Sequence, residues 1–365
     1  MISALHVIIP AGGAGTRLWP MSRAGRPKFL LDLTGSGRSL LQQTWDRLVP
    51  LVGASNVHVV TGVRHAEAVA AQLPDLGSSG LICEPSPRDS MPAIGLATAL
   101  VHRDDPNALV ASFAADHAIA SGPEFEDAVI QASAAAQAGY VCTIGISPTH
   151  ASTAFGYVET GESLGLAGAP AASAVTRFVE KPDVDTAESY LASGRFRWNA
   201  GMFVSRADVL LDHLRTQQPR LREGIDEIAS AWGSAAQGDV LDRVWPTLTR
   251  IAIDHAIAEP VAAAGGVAVV PAAFGWQDVG DFSALTSLAP GGVGTAVIGD
   301  ADLVQLIDAA GVVVASGGRA VSVIGIEDVV VVDTQDAVLV TTLGNAQRVK
   351  EAVDGWRTRG RDDLL

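Results

Sequence analysis

A glycine-rich turn near the start of the chain carries the residues best suited to bind phosphate. An apolar run leads directly into AGGAGTR at residues 11–17, and Lys28 follows eleven residues after Arg17. Glycines lack the Cβ that would keep a polyanion away from backbone N–H groups. An arginine fork can bind two phosphate oxygens, whereas a lysine acts as a compact charge between phosphates. The turn therefore predicts a phosphate cradle with Arg17 and Lys28 as its cations.

The glycine spacing excludes two common nucleotide motifs. No G-K-[ST] follows the turn, so it is not a Walker A loop, and Leu18 stands where the third glycine of G-x-G-x-x-G would be. On the glycines alone, a plain tight turn is as good an interpretation. The two cations after the glycines favour the phosphate site.

Two aspartates far apart in the chain are candidate metal ligands. Asp116 follows the apolar run LVASF, and Asp278 lies in a turn beside Gly280. Mg²⁺ takes one or two protein carboxylates and completes its shell with phosphate oxygens and water, so two aspartates at one sheet edge would suffice. A single aspartate in a turn is more often a cap or a surface charge. Neighbouring His117 is a poor ligand for Mg²⁺, which prefers oxygen.

Glu180 and Lys181 form a second charged motif. Adjacent residues of a strand point to opposite faces, so these two need not pair. A surface Glu-Lys dipeptide is common in any chain. Lysine is rare here, however, because only Lys28, Lys181 and Lys350 accompany the arginines among 25 cations. That rarity favours a functional interpretation of Lys181.

The elements that must position these residues alternate between strands and helices. Short apolar runs predict buried parallel strands, and helical spacing follows each of them. Ligands of such sheets bind beyond the carboxyl ends of the strands. The predicted strands are 5–9, 57–61, 109–113 and 141–146, with a further strand at 175–182, and the predicted helices are 40–49, 65–73, 92–102, 124–138, 186–193 and 207–215.

The residue pattern of the sequence changes from about residue 291. Short β-branched runs separated by Gly and Asp turns predict a small β-rich region at 291–365, with β-helix turns or hairpins and a terminal helix over 346–356. We therefore expect a domain at 1–290 and a C-terminal region at 291–365. Strand edges in that region could pair two copies, which leaves a homodimer as an open expectation.

Composition limits the kind of partner. The 365 residues are 48% hydrophobic, and 40 acidic against 25 basic residues give a net charge of −15, which argues against nucleic acid and anionic membrane. Residues 1–40 are an exception, because they hold five cations and the single carboxylate Asp32. The two cysteines, in unrelated segments, offer neither a disulfide framework nor a thiol zinc site. We expect a cytoplasmic protein with no membrane span.

Eight segments in order resemble the sugar-1-phosphate nucleotidylyltransferases. GTRLWPMSR within residues 7–33 is similar to the form found in the mannose-1-phosphate guanylyltransferase members of that family. The other segments are EPSPRDSMPAIGLA (84–97), ASFAADHAI (111–119), FGYVE (155–159), RFVEKPD (177–183), WNAGMFV (198–204), FGWQDVGDF (274–282) and VIGIEDVVVVDTQDAVLV (323–340).

The resemblance implies a Rossmann-like α/β fold, the nucleotide-diphospho-sugar transferase fold. Its sheet would be mixed and mainly parallel, flanked by helices, with the β-rich region as a C-terminal appendage. It also implies catalytic roles for Arg17 and Lys28 and Mg²⁺ ligation by Asp116 and Asp278. The implied nucleotide-binding residues are Ala11, Gly12, Gly13, Gly15, Thr16, Arg17, Glu84, Arg88, Ser90 and Asp116, and the implied sugar-phosphate residues are Gly156, Tyr157, Glu180, Lys181 and Asn199.

The activity that the resemblance implies is transfer of GMP from GTP to mannose 1-phosphate. Three alternatives stay open. The base or hexose could differ, because Asp89 stands where the family more often has Asn, and an acid replaces the donors of an amide with acceptors. The chain could be a non-catalytic nucleotide-sugar-binding subunit. A dehydrogenase is the poorest alternative, because the dinucleotide fingerprint is incomplete.

Overall fold

We describe the fold from a computed structural model. It describes residues 2, 4–13, 15–120, 122–288 and 295–365. Two compact units are distinguished, the first formed by Met1–Ala11, Trp45–Ala114 and Ile119–Trp276, and the second by Gly12–Thr44, Ala115–Ala118 and Gln277–Leu365. The predicted boundary between residues 290 and 291 lies outside the described residues and stays a prediction.

The strands of the described chain are β1 (Leu5–Ala11), β2 (Val57–Gly62), β3 (Leu81–Glu84), β4 (Leu109–Ser112), β5 (Ala118–Ile119), β6 (Val141–Ile146), β7 (Tyr157–Ser163), β8 (Ser173–Val179), β9 (Phe196–Arg206), β10 (Val267–Ala272), β11 (Trp276–Gln277), β12 (Ala296–Gly299), β13 (Val304–Ile307), β14 (Gly311–Ala315), β15 (Val321–Ile324), β16 (Val329–Asp333) and β17 (Val338–Thr342).

The α-helices are α1 (Leu40–Val52), α2 (Ala66–Gln72), α3 (Ser90–Asp104), α4 (Pro123–Gln137), α5 (Val184–Ser193), α6 (Ala207–Gln217), α7 (Pro219–Ala231), α8 (Gln237–Val244), α9 (Glu259–Ala263), α10 (Phe282–Leu285) and α11 (Val349–Thr358). A π-helical turn, Asp254–Ala258, precedes α9. Among the described residues, no helix is both long and apolar enough to cross a bilayer.

The first unit is built on a nine-stranded sheet of order β3-β2-β1-β4-β9-β6-β10-β8-β7. Strands β1, β2, β3 and β4 pair in parallel, as do β6 and β10. Strand β9 runs antiparallel to β4, β6 and β7, and β8 runs antiparallel to β7 and β10. Seven of the nine strands therefore share one direction, which confirms the predicted mixed, mainly parallel sheet.

The elements predicted for the first unit are present within a few residues of their expected bounds. β1 and α1 each extend past the predicted end, and α3 begins two residues earlier, at Ser90. The predictions did not include α7 and α8, whose sequences are rich in charge. They also did not include α9 or the strands β3, β5, β7, β9, β10 and β11. The apolar faces of α7 and α8 pack into the main core of the unit through Leu221, Ile225 and Val244.

The second unit contains the β-rich region in a coiled arrangement. β12, β14 and β16 pair in parallel, β17 adds antiparallel to β16, and β13 pairs in parallel with β15. Parallel neighbours joined by short connections are turns of a β-helix, so that alternative of the prediction is confirmed. The terminal helix begins at Val349, three residues later than predicted, because residues 343–348 form a 3₁₀ turn.

The glycine-rich segment and the β-rich region share one hydrophobic core. Leu18, Trp19 and Leu33 pack in the same cluster as residues of β12, β14, β16 and α11. The Trp19 indole N–H also donates to the carbonyl of Leu364 at 2.7 Å. The C-terminal region therefore supports the segment that carries the predicted phosphate cradle.

Candidate active site

Lys28 lies at the centre of a charged cluster in the second unit. Its side chain is only 7% exposed, and Nζ lies 2.9 Å from Asp116 Oδ2 and 3.4 Å from Asp278 Oδ1. Nζ also donates to the backbone carbonyl of Asp278. His117 Nε2 lies 3.5 Å from the same Asp278 oxygen. The structure thus brings three predicted site residues, widely separated in sequence, to one ammonium group.

The cluster keeps Asp116 ionised. Burial by itself would raise the pKa of this carboxyl, but the charge of Lys28, with a further contribution from His117, outweighs it and leaves the pKa below its ordinary value. The side chains of Asp116 and Asp278 are 30% and 35% exposed, so each keeps oxygen surface available. A negatively charged, accessible carboxylate pair is the donor set that a hard divalent cation requires.

Glycine at position 15 allows Lys28 to reach the carboxylates. A Cβ built on Gly15 would lie 2.7 Å from the Cβ of Lys28, and the residue has φ of +59°. Gly13 also has a positive φ, and nothing lies within 4 Å of a Cβ built on Gly12 or Gly13. Gly12, Gly13 and Thr16 are exposed, and Ala11 is buried at the end of β1. The first two glycines therefore leave open space, whereas Gly15 makes a close backbone approach.

The turn around Asp278 holds backbone strain. Val279 has φ of +49° and is fully buried in the core of the second unit, beside Leu18 and Phe282. A β-branched residue in the left-handed region is an outlier, and such strain persists only where surrounding structure enforces it. The buried side chain of Val279 fixes the direction of Asp278. The sequence did not single out Val279, because the identity of a valine does not reveal a positive φ.

Arg17 is oriented by residues from the C-terminal part of the chain. Its Nη1 donates to Gln347 Oε1 at 2.9 Å, and Gln347 Nε2 in turn donates to Asp281. Asp281 also caps α10 by accepting from the N–H of Ser283 at 2.8 Å. Gln347 lies in the 3₁₀ turn before α11, and nothing in its sequence surroundings marked it as part of a site.

A second group of predicted residues gathers in the first unit. A Cβ built on Gly156 would lie 2.4 Å from Glu180 Oε2 and 3.4 Å from Asn199 Cβ, so the three residues meet. Glu180 is 14% exposed in its side chain, and Asn199 is buried. Substitution of Gly156 would push the Glu180 carboxylate aside. The glycine is therefore required by the carboxylate next to it.

Glu180 and Lys181 form an ion pair, although adjacent residues inside a strand would not need to. Lys181 Nζ lies 3.1 Å from Glu180 Oε1. The alternation of side chains holds only inside a strand, and β8 ends at Val179. Lys181 has φ of +47°, which turns its side chain back toward its neighbour. The ammonium remains accessible, since the side chain is 63% exposed.

Tyr157 has a different environment from its neighbour Gly156. The ring is fully buried, and the hydroxyl accepts from the N–H of Ser152 at 2.9 Å and donates to its carbonyl at 3.0 Å. These bonds close the loop before β7. A sugar contact through this hydroxyl stays a prediction, and its one donor is already used by the Ser152 carbonyl.

The remaining predicted residues, Glu84, Arg88 and Ser90, lie between β3 and α3 in the first unit. Arg88 donates to the carbonyls of Pro246 and Leu248, the latter at 3.3 Å. Ser90 Oγ accepts from the N–H of Ile253 at 2.9 Å. Both side chains thereby hold the chain segment that leads to residue 254. Their nucleotide contacts stay predictions.

The burial of Glu84 should make the free energy of unfolding depend on pH. Burial raises the pKa of this carboxyl to about 7, and its Oε2 has no hydrogen-bond partner among the described residues. The folded state therefore holds a proton that the unfolded state releases near its ordinary value of 4.5. The free energy of unfolding should therefore fall by on the order of 2–3 kcal/mol as the pH rises from 4.5 to about 7, and it should stay level above that pH.

Replacing Glu84 with glutamine should remove that loss. We expect the Glu84→Gln variant to melt at a higher temperature than the parent at pH 8 and at nearly the same temperature at pH 4.5. Thermal denaturation across this pH range measures the effect, with Glu188→Gln, an exposed glutamate on α5, as the matched control. Parallel pH curves for the parent and Glu84→Gln would contradict the assignment.

The residues present fit a magnesium site that substrate completes. No group of three or more His, Cys, Asp or Glu residues that could hold a metal occurs among the described residues. The carboxylate pair Asp116 and Asp278, with oxygen donors and partial exposure, suits an ion that keeps water and takes phosphate oxygens as its other ligands. A site enclosed by protein alone is not what these residues form.

Comparison with known proteins defines the class. A sequence model of the nucleotidyl transferase family matches residues 6–291, and a model described as the MannoseP isomerase/GMP-like beta-helix domain matches residues 302–355. The chain is therefore an enzyme of the nucleotidyl transferase class with the fold that the resemblance implied.

Individual relatives narrow the family. The xanthan biosynthesis protein XanB of Xanthomonas campestris is 40% identical over 98% of this chain and 74% of its own length. A mannose-1-phosphate guanylyltransferase of Escherichia coli is 38% identical over the same shares. A crystal structure described as mannose-1-phosphate geranyltransferase from Thermus thermophilus has a TM-score of 0.85 and 30% identity, and covers 97% of this chain and 99% of that one. The chain belongs to the mannose-1-phosphate guanylyltransferase family.

Proposed function

We propose that this enzyme transfers GMP from GTP to α-D-mannose 1-phosphate, giving GDP-mannose and pyrophosphate. The observation that supports this reaction best is the Lys28 ammonium held between the carboxylates of Asp116 and Asp278. It joins a fixed positive charge to a potential Mg²⁺ site next to the glycine turn. The choice of guanine and mannose rests on the relatives that carry the name mannose-1-phosphate guanylyltransferase.

The chemistry needs charge neutralisation more than proton transfer. A phosphate monoester has a second pKa of about 6, so the sugar phosphate is already an oxyanion at neutral pH and needs no general base. It attacks the α-phosphorus in line, a P–O bond forms, and the bond to the pyrophosphate oxygen breaks. Arg17 and Lys28 hold the two mutually repelling anions and stabilise the charge that develops on the transferring group.

We infer that Asp116 and Asp278 hold Mg²⁺ when the triphosphate binds. The ion would supply additional neutralisation of phosphate charge. The protein's own part is to position both carboxylates and to keep Asp116 ionised. Lys28 does so through its contacts with Asp116 and Asp278, and Gly15 permits the approach of Lys28.

Binding of the substrates divides between the two groups of residues. The nucleotide is assigned to Ala11–Arg17 with Glu84, Arg88 and Ser90, and the hexose to Gly156, Glu180 and Asn199. Lys181, exposed and paired at 3.1 Å with Glu180, is assigned to the phosphate of the sugar. The first group offers the cations Arg17 and Arg88 to a polyphosphate, and the second is rich in hydrogen-bond acceptors that suit a polyol.

A substrate panel tests the proposal against its alternatives. The purified chain is incubated with mannose, glucose or galactose 1-phosphate and with GTP, UTP, dTTP or ATP, and pyrophosphate release is measured with and without Mg²⁺. We expect the GTP and mannose 1-phosphate pair to give the highest rate. Preference for UTP or dTTP would overturn the assignment of the base, and binding of GDP-mannose without any turnover would support a regulatory subunit.

A further inference from the structure

Asn199 is oriented by three hydrogen bonds that use most of its amide. Its Oδ1 accepts from Thr143 Oγ1 at 2.8 Å and from the backbone N–H of Gly201 at 3.2 Å. A backbone N–H can only donate, so the amide oxygen must face Gly201 and the amide nitrogen must face the other way. That nitrogen donates to Asp254 Oδ1 at 2.8 Å. The amide oxygen of Asn199 is therefore bonded within the fold, and its nitrogen directs Asp254.

Asp254 is partly buried and, in the part of the chain that the structure describes, has one carboxylate oxygen without a side-chain partner. Within the described residues, its second carboxylate oxygen, Oδ2, has no side-chain hydrogen-bond partner, and none of the ion pairs involves it. The nearby cations are occupied elsewhere, since Lys181 pairs with Glu180 and His255 with Glu259. Because the residue is only partly buried, a donor from a ligand would take the place of solvent at this oxygen.

The surroundings of Asp254 connect it with the sugar residues. Asn199 bonds Asp254 and lies beside Gly156, which closely approaches the Glu180 carboxylate. Burial, and after it the negative charge of Glu180, raise the pKa of the Asp254 carboxyl to about 6. Asp254 also begins the π-helical turn Asp254–Ala258. Such turns are rare and often occur at functional sites. Ser90 secures the residue just before it through the N–H of Ile253.

We propose that Asp254 is a further sugar-selecting residue, whose free carboxylate oxygen accepts a hydrogen bond from a ring hydroxyl of the hexose 1-phosphate. This inference rests on the proposed function. Thr143 and Asn199 are positioning residues that hold Asp254 in place. Glu180 and Asp254 then form two acceptors on one polyol, and the donors of the sugar relieve the repulsion between the two carboxylates.

The test uses the full chain and the variants Asp254→Asn and Asp254→Ala. Asparagine keeps an acceptor for Asn199 but offers an amide in place of the free oxygen, so it preserves the fold better than alanine. We expect the KM for mannose 1-phosphate to rise about 10- to 100-fold in either variant, the loss of one hydrogen bond to a charged group. The KM for GTP should stay within about twofold, which a general loss of structure would not allow.

Deoxy analogues identify the hydroxyl. For the parent enzyme, one of the 2-, 3- and 4-deoxy mannose 1-phosphates should show the same rise in KM, and in Asp254→Ala that analogue and mannose 1-phosphate should have equal KM values. Asp212→Asn, an exposed aspartate on α6 that pairs with Arg215, is the control and should behave as the parent. Unchanged KM for mannose 1-phosphate in both Asp254 variants would overturn the inference.

Equilibrium binding separates this inference from the proposed function. Calorimetric titration with mannose 1-phosphate, in the presence of GDP, requires no turnover. A parent chain that binds the sugar phosphate without forming GDP-mannose contradicts the proposed function, while weakened binding in Asp254→Asn still supports the role of Asp254. Equal binding by parent and variant contradicts the role alone, and a parent that binds no hexose 1-phosphate contradicts both.

Discussion

Replacing Lys28 with methionine is expected to lower kcat/KM for nucleotidylyl transfer by about 10²- to 10³-fold, the effect typical of removing one preorganised charge from developing phosphate charge. Methionine retains an unbranched side chain of similar length in this buried position but contacts neither carboxylate. Two changes contribute to the loss. The transferring phosphate loses its fixed cation, and Asp116 and Asp278 lose the ammonium that both contact. Steady-state kinetics with saturating Mg²⁺ measures the effect.

The chain supplies its own matched control for this substitution. Lys350, one of its three lysines, is exposed on α11 in the same structural unit. The Lys350→Met variant removes the same charge and should keep the parent rate. Thermal denaturation of both variants corrects the rates for unfolded protein, because Lys28→Met leaves two carboxylates without their shared partner. A Lys28→Met enzyme within threefold of the parent would contradict the role given to Lys28.

Asp278→Asn should have the second large effect. The amide keeps the size of the side chain but loses its charge, so it weakens a divalent cation site while the backbone carbonyl that Lys28 contacts stays in place. We expect kcat to fall by about 10²-fold or more at ordinary Mg²⁺ concentrations. We also expect the Mg²⁺ concentration for half-maximal rate to rise. Activity measured across a Mg²⁺ titration reports both values.

Stability should separate this variant from a folding defect. The Asp278 side chain is 35% exposed, and the shorter contact of Lys28, with Asp116, is retained. The melting temperature should therefore change little. Asp354→Asn, which breaks an exposed pair with Arg357 on α11, is the control and should alter neither rate nor Mg²⁺ dependence. A near-parent rate and an unchanged Mg²⁺ requirement in Asp278→Asn would exclude it as a metal ligand.

Much of the fold could be predicted from local patterns. The strands of the parallel half are runs of apolar residues buried on both faces, and such runs are visible in any sequence window. The apolar faces of α7 and α8 were not recognised because these helices are rich in charged residues. Strand β9 lies antiparallel between β4 and β6, and its pairing partners in those strands are more than fifty residues away. Pairing over such distances leaves no local signal.

The sequence predicted which residues belong to the candidate site better than it predicted which of them contact each other. Lys28 could be singled out because lysine is rare and follows a glycine turn, but its position between Asp116 and Asp278 follows from the folding of three distant segments. The pairing of Lys181 with Glu180 was missed because it depends on a positive φ after the end of β8. Gln347, Val279 and Asp254 were missed for the same kind of reason, since each acts through a neighbour distant in sequence or through a backbone angle.

The sequence by itself determined the chemical character of this protein. A cation-rich segment with glycines, inside a chain with a net charge of −15, predicts where anions bind, and the order of its motifs indicates the family. The tertiary structure decided which of those groups act together. It packed the glycine-rich segment against the core of the C-terminal β-helix, where Gln347 orients Arg17. It also made Asn199 a hydrogen-bond donor to Asp254. Residue types fix charge and hydrogen-bonding capacity, whereas partners are chosen only when distant segments pack against each other.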